Sequence, residues 1–296
     1  MDKITIVIPT FNDESFIRNA INSVITQTSH DWQLIIVNDC STDNTKDIVE
    51  GYAECFPNKI KVVNNKENKG VGISRKIGLN NCDTPYIAFL DSDDLLNSDY
   101  VCNCIKLIEY YDADIIFPST LISYPEQRVI HPLDAGDFLC EGEATIQPYL
   151  NAQTKFLTGK VFKTELLKEI PWSENRVGED TQTLFFALYN ANKVRTSSYL
   201  GYVHQFRQGS LLADAPHFYC YCYSAMASLE IIDYVSKKND NKLYDALLKA
   251  EYLNYQNAIN IVNDKEKGLE ATGTHKGDNV KDKWEYIKKW FDNKTE

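Results

Sequence analysis

Residues 86–96 read YIAFLDSDDLL. Five residues suited to a buried strand run into Asp91, Ser92, Asp93 and Asp94, three carboxylates within four positions. Like charges at that spacing repel, and each carboxylate is costly to desolvate without a partner. A solvated turn would explain the run, as would an acidic N-cap for the helical pattern that follows, with Asp94 as the capping residue. A bound divalent cation explains it equally well, so the flanking sequence has to discriminate.

Outward from this stretch, short apolar runs recur at 4–9 (ITIVIP), 34–38 (LIIVN), 60–64 (IKVVN) and 114–118 (DIIFP). Between them Phe16, Ile17, Ala20, Ile21, Val24 and Ile25 fall at helical spacing, as do Ile105, Leu107 and Ile108 after Asp99. Continuous apolar strands separated by helices predict a parallel sheet covered on both faces, an α/β doubly wound domain. Residues 119–215 change character, with shorter runs, more Pro and aromatic residues, and helices expected near 143–151, 164–170 and 179–190. From 216 to 296 three amphipathic helices are expected.

The chain has 296 residues, 43% apolar, with a net charge of -11. That balance argues against a nucleic-acid partner, which would require a basic stripe. The eight cysteines include two CxC pairs and no CxxC, which fits reduced thiols better than a zinc site or a disulfide framework. The opening apolar run is too short for a signal peptide, and no membrane-spanning run occurs, so a cytoplasmic location is expected. Near the end, Trp284, Trp290 and Phe291 lie among six lysines and five acidic residues. Such a segment suits peripheral contact with anionic lipid, contact with a second copy, or packing on the rest of the chain.

In an open parallel sheet, ligands bind beyond the carboxyl ends of the strands. Thr10, Phe11 and Asn12 follow the first strand, Asp39 the second, and Asp91, Ser92 and Asp93 the fourth, so all are expected on one exposed rim. The stretch 65–79 (NKENKGVGISRKIGL) adds Gly70, Gly72, Arg75 and Lys76. It lacks both GxGxxG and a Walker lysine pattern. Arg75 is either an ordinary helical residue or the partner of a phosphate or a rim carboxylate. Paired carboxylates without neighbouring His or Cys suit Mg²⁺ or Mn²⁺. An EF-hand is excluded, because Leu96 stands where that loop needs Gly and Cys102 where it needs Glu. The residues read as a metal-diphosphate site on an α/β domain.

Together these stretches resemble the inverting family 2 glycosyltransferases of the GT-A fold, a Rossmann-like, mostly parallel sheet with helices on both faces. IPTFNDESFIRNAINSVITQT (8–28), VNDCSTDNT (37–45), NKGVGISRKIGL (68–79) and the DxD-like FLDSDD (89–94) carry the resemblance. It is dense over 3–118 and thinner to about 212. It implies that 1–118 is the nucleotide-sugar half and 119–215 the acceptor and catalytic half of one domain, with 216–296 a helical extension. It further implies that Thr10, Phe11 and Asp39 hold the base, most often uracil. Arg75 would lie near the diphosphate or the nucleotide-binding carboxylates, Asp91 would contact the ribose and support the metal, and Asp93 would ligate it.

In 172–190 (WSENRVGEDTQTLFFALYN), Glu179 and Asp180 read locally as first-turn acids of a helix. The resemblance makes Asp180 the catalytic base, with Glu179 orienting it or the acceptor. In 201–212 (GYVHQFRQGSLL), His204 and Arg207 would reach the diphosphate. Asn38 stands where many members carry Asp, and Phe11 where many carry Tyr. The implied activity is Mn²⁺- or Mg²⁺-dependent transfer from a UDP-sugar to a saccharide or lipid-linked saccharide in bacterial surface polysaccharide synthesis. A sugar-1-phosphate nucleotidyltransferase would need a Gly-rich loop after the first strand, where this chain reads PTFNDESF. A DxD phosphatase would carry its motif after the first strand. A non-catalytic sugar-nucleotide binding module has no reason to keep both acidic pairs.

Overall fold

The computed structural model describes residues 2–124, 129–133, 135–151, 156–172, 178–205, 217–238, 240–263, 274–275 and 278–295. The first half alternates as expected: β1 Ile4–Thr10, α1 Ile17–Ile25, β2 Trp32–Asn38, α2 Thr45–Cys55, β3 Ile60–Asn64, α3 Val71–Asn80 and β4 Tyr86–Phe89. Then come β5 Leu95–Leu96, α4 Tyr100–Tyr111, β6 Ile115–Tyr124, β7 Val129–Leu133, β8 Leu139–Glu141, α5 Gln147–Asn151 and β9 Val161–Lys163. The chain continues through α6 Thr164–Glu169, α7 Glu179–Asn190, β10 Lys193–Gln205, α8 His217–Ser236, α9 Asn241–Asn263 and α10 Val280–Thr295.

The main sheet has the order β3-β2-β1-β4-β9-β6-β10-β5, with β7 on β6 and β8 on β10. Strands β3, β2, β1 and β4 are parallel neighbours. All seven residues of β1 are buried, which is why its sequence is apolar throughout instead of alternating. One face of α1 (Ile17, Ala20, Ile21, Val24) completes the core on one side. On α3, Gly78 allows close approach to β1, since a Cβ there would lie 2.3 Å from Val7 Cγ1. That contact sets the height of α3, and hence of Arg75, relative to the sheet.

The fifth expected strand does not pair with β4. The three-residue β9 lies antiparallel between β4 and β6 and keeps those two pointing the same way. A strand that short carries too few positions for periodicity to reveal it. The longest strand, β10, runs parallel to β6 with register shifts between Ser197 and Leu200 and between Leu200 and Tyr202. Its Ser-Ser and Gly positions hid it from pattern reading.

The chain divides into two compact units, residues 1–176 with 183–207, and residues 177–182 with 208–296. In the second unit Trp284, Trp290 and Phe291 are buried. Phe291 stacks on Tyr255 with ring centroids 4.2 Å apart, and Trp290 Nε1 donates to Asp233 Oδ2 at 3.2 Å. These aromatics pack within the unit's own core. Among the described residues no helix is long and apolar enough to cross a membrane.

Candidate active site

Parallel pairing brings the carboxyl ends of β1, β2 and β4 to one edge. Thr10 lies in register with Asn38, and Asp39 N–H donates to Thr10 O at 2.9 Å. Thr10 is buried, whereas the Phe11 ring is 43% exposed and presents an open aromatic face. The loops after β1 and β2 are bound to each other. Thr42 N–H donates to Asn12 Oδ1 at 2.8 Å, Asn12 N–H to Ser41 Oγ at 3.0 Å, and Asn44 N–H to Glu14 Oε2 at 3.0 Å.

Asp13 was not anticipated as a site residue. Its buried carboxylate accepts from Ser92 Oγ at 2.5 Å, with Phe11 N–H at 3.4 Å and Thr10 Oγ1 at 3.5 Å, while its own N–H donates to Thr45 Oγ1 at 2.8 Å. It thereby joins the exit of β1 to the acidic turn after β4. No local motif marks it, because its main partner lies 79 residues away.

Asp39 sits on the expected edge but not in the open, being 3% exposed. Its carboxylate accepts from Asn65 Nδ2 at 2.7 Å, Lys69 N–H at 2.9 Å and Gly70 N–H at 2.8 Å. Gly70, at φ +89°, is the residue from which α3 starts. The expectation of a side chain on an exposed rim is therefore corrected. Asp39 ties the end of β2 to the loop that launches α3, because those backbone N–H groups need an acceptor and the carboxylate supplies one. From α3, Arg75 Nη2 donates to Asp91 Oδ1 at 2.7 Å. Arg75 thus meets a rim carboxylate, one of the alternatives left open for it.

The turn after β4 splits its acids by environment. Asp91 and Asp93 are half-buried, while Asp94 is completely buried. Asp94 does not cap a helix, because α4 begins at Tyr100 with Asp99 at its N-cap position. Instead the Asp94 carboxylate accepts from Tyr202 OH, from Gln205 N–H at 2.7 Å, and pairs with His204 Nδ1 at 3.0 Å. Burial opposes protonation of His204, but the bond to Asp94 and the charges of Asp94, Asp91 and Asp93 outweigh it. They raise the imidazole above its ordinary 6.5.

The donor set fits a hard divalent cation. Asp91 gives one oxygen to Arg75, and its Oδ2 has no hydrogen-bond partner among the described residues. Asp93 lies two positions on and is also half-buried. Among the described residues no three His, Cys, Asp or Glu side chains are grouped to hold a metal ion. A cation here would be held by the two carboxylates of Asp91 and Asp93 and not by a cage of protein ligands. That arrangement suits Mg²⁺ or Mn²⁺, which keep water or phosphate oxygens on their remaining positions.

Glu179 and Asp180 open α7, Glu179 buried and Asp180 half-buried, and both belong to the second unit. There Gly178, at φ +85°, lies close enough to α8 that a Cβ would be 3.0 Å from Tyr223 O, and Gln182 Nε2 donates to Glu230. Glycine is needed at that positive φ, and it lets the helix start tightly against α8. Arg207 lies outside the described residues.

The model of the family "Glycosyl transferase family 2" matches residues 5–170. Glycosyltransferase GlyA of Streptococcus pneumoniae is 30% identical over 220 residues, 71% of this chain and 31% of that protein. The chain thus spans about a third of that relative's length. Among solved structures, S. aureus TarS 1-349 in complex with UDP-GlcNAc is 26% identical with a TM-score of 0.65, over 78% of this chain and 66% of that one. Mannosyltransferase PcManGT from Pyrobaculum calidifontis, solved with GDP-Man and Mn²⁺, has a TM-score of 0.62 over 93% of this chain and 77% of that one. At 17% identity it speaks for the fold alone. With the parallel sheet and its acidic rim, these likenesses make the chain a member of glycosyltransferase family 2 with the GT-A fold.

Proposed function

We propose that this protein is an inverting, cation-dependent glycosyltransferase. It moves a sugar from a UDP-sugar to a saccharide or lipid-linked saccharide acceptor during assembly of a bacterial surface polysaccharide. The observation that carries this reading is the gathering of Phe11, Asp39, the Arg75–Asp91 pair and Asp93 on one carboxyl edge of the sheet. Similarity to TarS, which was solved with UDP-GlcNAc, supports uridine as the base.

In this reading Thr10, Phe11 and Asp39 form the base end, with the exposed Phe11 ring stacking on the uracil. Asp93 and Asp91 hold Mn²⁺ or Mg²⁺, which when bound neutralises the departing diphosphate. Arg75 keeps Asp91 in place, and His204 and Arg207 meet the diphosphate. Asp180 removes the proton from the acceptor hydroxyl, and Glu179 orients it. The enzyme works in the cytoplasm, at or near the inner membrane face where lipid-linked acceptors are presented.

The experiment is release of nucleotide from a panel of UDP-, GDP-, CDP- and dTDP-sugars with Mn²⁺ or Mg²⁺. Release from a UDP-sugar that stops on chelation is expected. Cleavage of every donor unaffected by chelator, or of none, overturns the reading.

A further inference from the structure

We propose that Asp13 is a positioning residue that joins the two ends of the donor site. Through Ser92 it fixes the turn that carries Asp91 and Asp93, and through Phe11 it holds the loop that meets the base. This rests on the donor-site reading above and extends it, since that reading gives Asp13 no part.

The mounting of Asp13 comes first. Its N–H donates to Thr45 Oγ1 at 2.8 Å, and Thr45 is the fully buried first residue of α2. Its carbonyl oxygen accepts from Phe16 N–H at 2.9 Å and from Ile17 N–H at 3.0 Å, where α1 begins. The backbone of Asp13 is thus held by the starts of two helices, and its side chain projects from a fixed base.

One oxygen of that side chain makes the join. Oδ2 accepts from Ser92 Oγ at 2.5 Å, with Phe11 N–H 3.4 Å and Thr10 Oγ1 3.5 Å away. The short contact holds the turn firmly and the long ones hold the base loop loosely. Ser92 stands between the two candidate cation ligands, and Asp94 N–H closes their turn on Asp91 O at 3.1 Å. Asp13 and Ser92 are 8% and 7% exposed, so water does not readily replace the bond between them. Ser92 is stiffened when Asp91 and Asp93 close on a cation, and Asp13 passes that order to the loop of Phe11. By linkage, a base on Phe11 favours the cation by the same factor.

Hydrogen exchange in the ligand-free full chain tests the mount without any donor. Asp13→Ala should speed exchange of the Asp94 amide about 3- to 10-fold, the worth of one hydrogen bond. Ser92→Ala should do the same, and the double variant no more than either. Asp13→Asn keeps an acceptor at the Oδ2 position and should restore the parent rate. The Leu90 amide donates to Val7 O at 3.0 Å, between β4 and β1. It should keep its rate in all four variants, which separates a local effect from general loosening.

Uridine, which has no phosphate to reach a cation, tests the link across the site. Ligand-observed NMR titrations should show the parent binding uridine about 3- to 10-fold tighter with Mg²⁺ than without it. In Asp13→Ala and Ser92→Ala the ion should make no difference. The proposal is overturned by an Asp94 amide indifferent to Asp13→Ala, by additive effects of the two alanines, by acceleration shared with Leu90, or by no rescue in Asp13→Asn. It is overturned equally if Mg²⁺ leaves uridine binding unchanged in the parent or still tightens it in Ser92→Ala. If uridine binds to no form of the protein, the donor-site reading fails, and the exchange rates alone decide whether Asp13 sets the turn.

Discussion

Arg75 and Asp91 form a close ion pair, Nη2 to Oδ1 at 2.7 Å, with the arginine side chain 3% and the aspartate side chain 33% exposed. The guanidinium is thus a buried strut for a carboxylate that still reaches solvent on its other side. It offsets one of the rim's like charges and ties the acidic turn to α3, which Asp39 holds at its start.

Replacing Arg75 tests that strut. Arg75→Lys keeps a charge but loses the planar fork, and Arg75→Met loses both. Charge-assisted bonds of about 1.5–3 kcal/mol imply UDP·Mn²⁺ binding weakened about 10- to 100-fold in Arg75→Met, with Arg75→Lys between that and the parent. Isothermal titration with UDP and Mn²⁺ measures this. Parent affinity in Arg75→Met would show that Asp91 needs no strut.

Removing the cation should stop transfer. EDTA is expected to abolish nucleotide release, and Mn²⁺ or Mg²⁺ to restore it. Asp93→Asn should lose donor binding and not merely turnover, because the diphosphate loses its counter-charge. Full activity in chelator refutes the two-carboxylate cation site.

Asp39 has two duties in this scheme, holding the loop before α3 and meeting the base. Asp39→Ala removes the acceptor for Lys69 and Gly70 N–H, so hydrogen exchange at both amides should accelerate along with the loss of UDP binding. If binding falls for UDP alone and both amides stay protected, the loop-holding duty is absent. Tighter binding of GDP than of UDP by the parent refutes the base assignment.

Asp180 separates chemistry from binding. Asp180→Asn keeps volume and removes basicity, so turnover should fall about 10²–10⁴-fold. Donor affinity should change less than about threefold, since a base acting on the acceptor proton meets the donor little. Turnover at the parent rate would move the base elsewhere, with Glu179 next to be replaced.

A pH dependence follows from Asp99, whose carboxyl is held below its usual 3.8 mainly by the hydrogen bond from Tyr199. A depressed carboxylate contributes stability that is present above the unfolded value and lost as pH falls through the folded one. Tyr199→Phe should therefore lower Tm at pH 7, and the gap from the parent should narrow as the pH drops below 3.8. Thermal melts across that range check the sign. A gap constant from pH 7 downward would mean that packing of the Tyr199 ring, not the bond, stabilises this corner.

The local sequence carried much of the fold. Runs such as ITIVIP and LIIVN are apolar without alternation because both faces of those strands are covered, and that pattern exists within each segment. Once the strands are parallel, their carboxyl ends must share an edge, so Thr10, Phe11, Asp39, Asp91 and Asp93 were readable as neighbours. Tertiary structure decided which polar group answers which. Which carboxylate Arg75 meets, and whether Asp94 caps a helix or meets His204, depended on chain ends brought together from far apart. Asp13 meets Ser92 across 79 positions, and Asp94 meets His204 across 110. The insertion of β9 between β4 and β6 likewise depended on pairing partners and not on its own three residues. Apolar periodicity is a property of one segment against a generic core, and so it is written locally. A hydrogen bond needs a particular donor at a particular distance, and that is set only when the whole chain has folded.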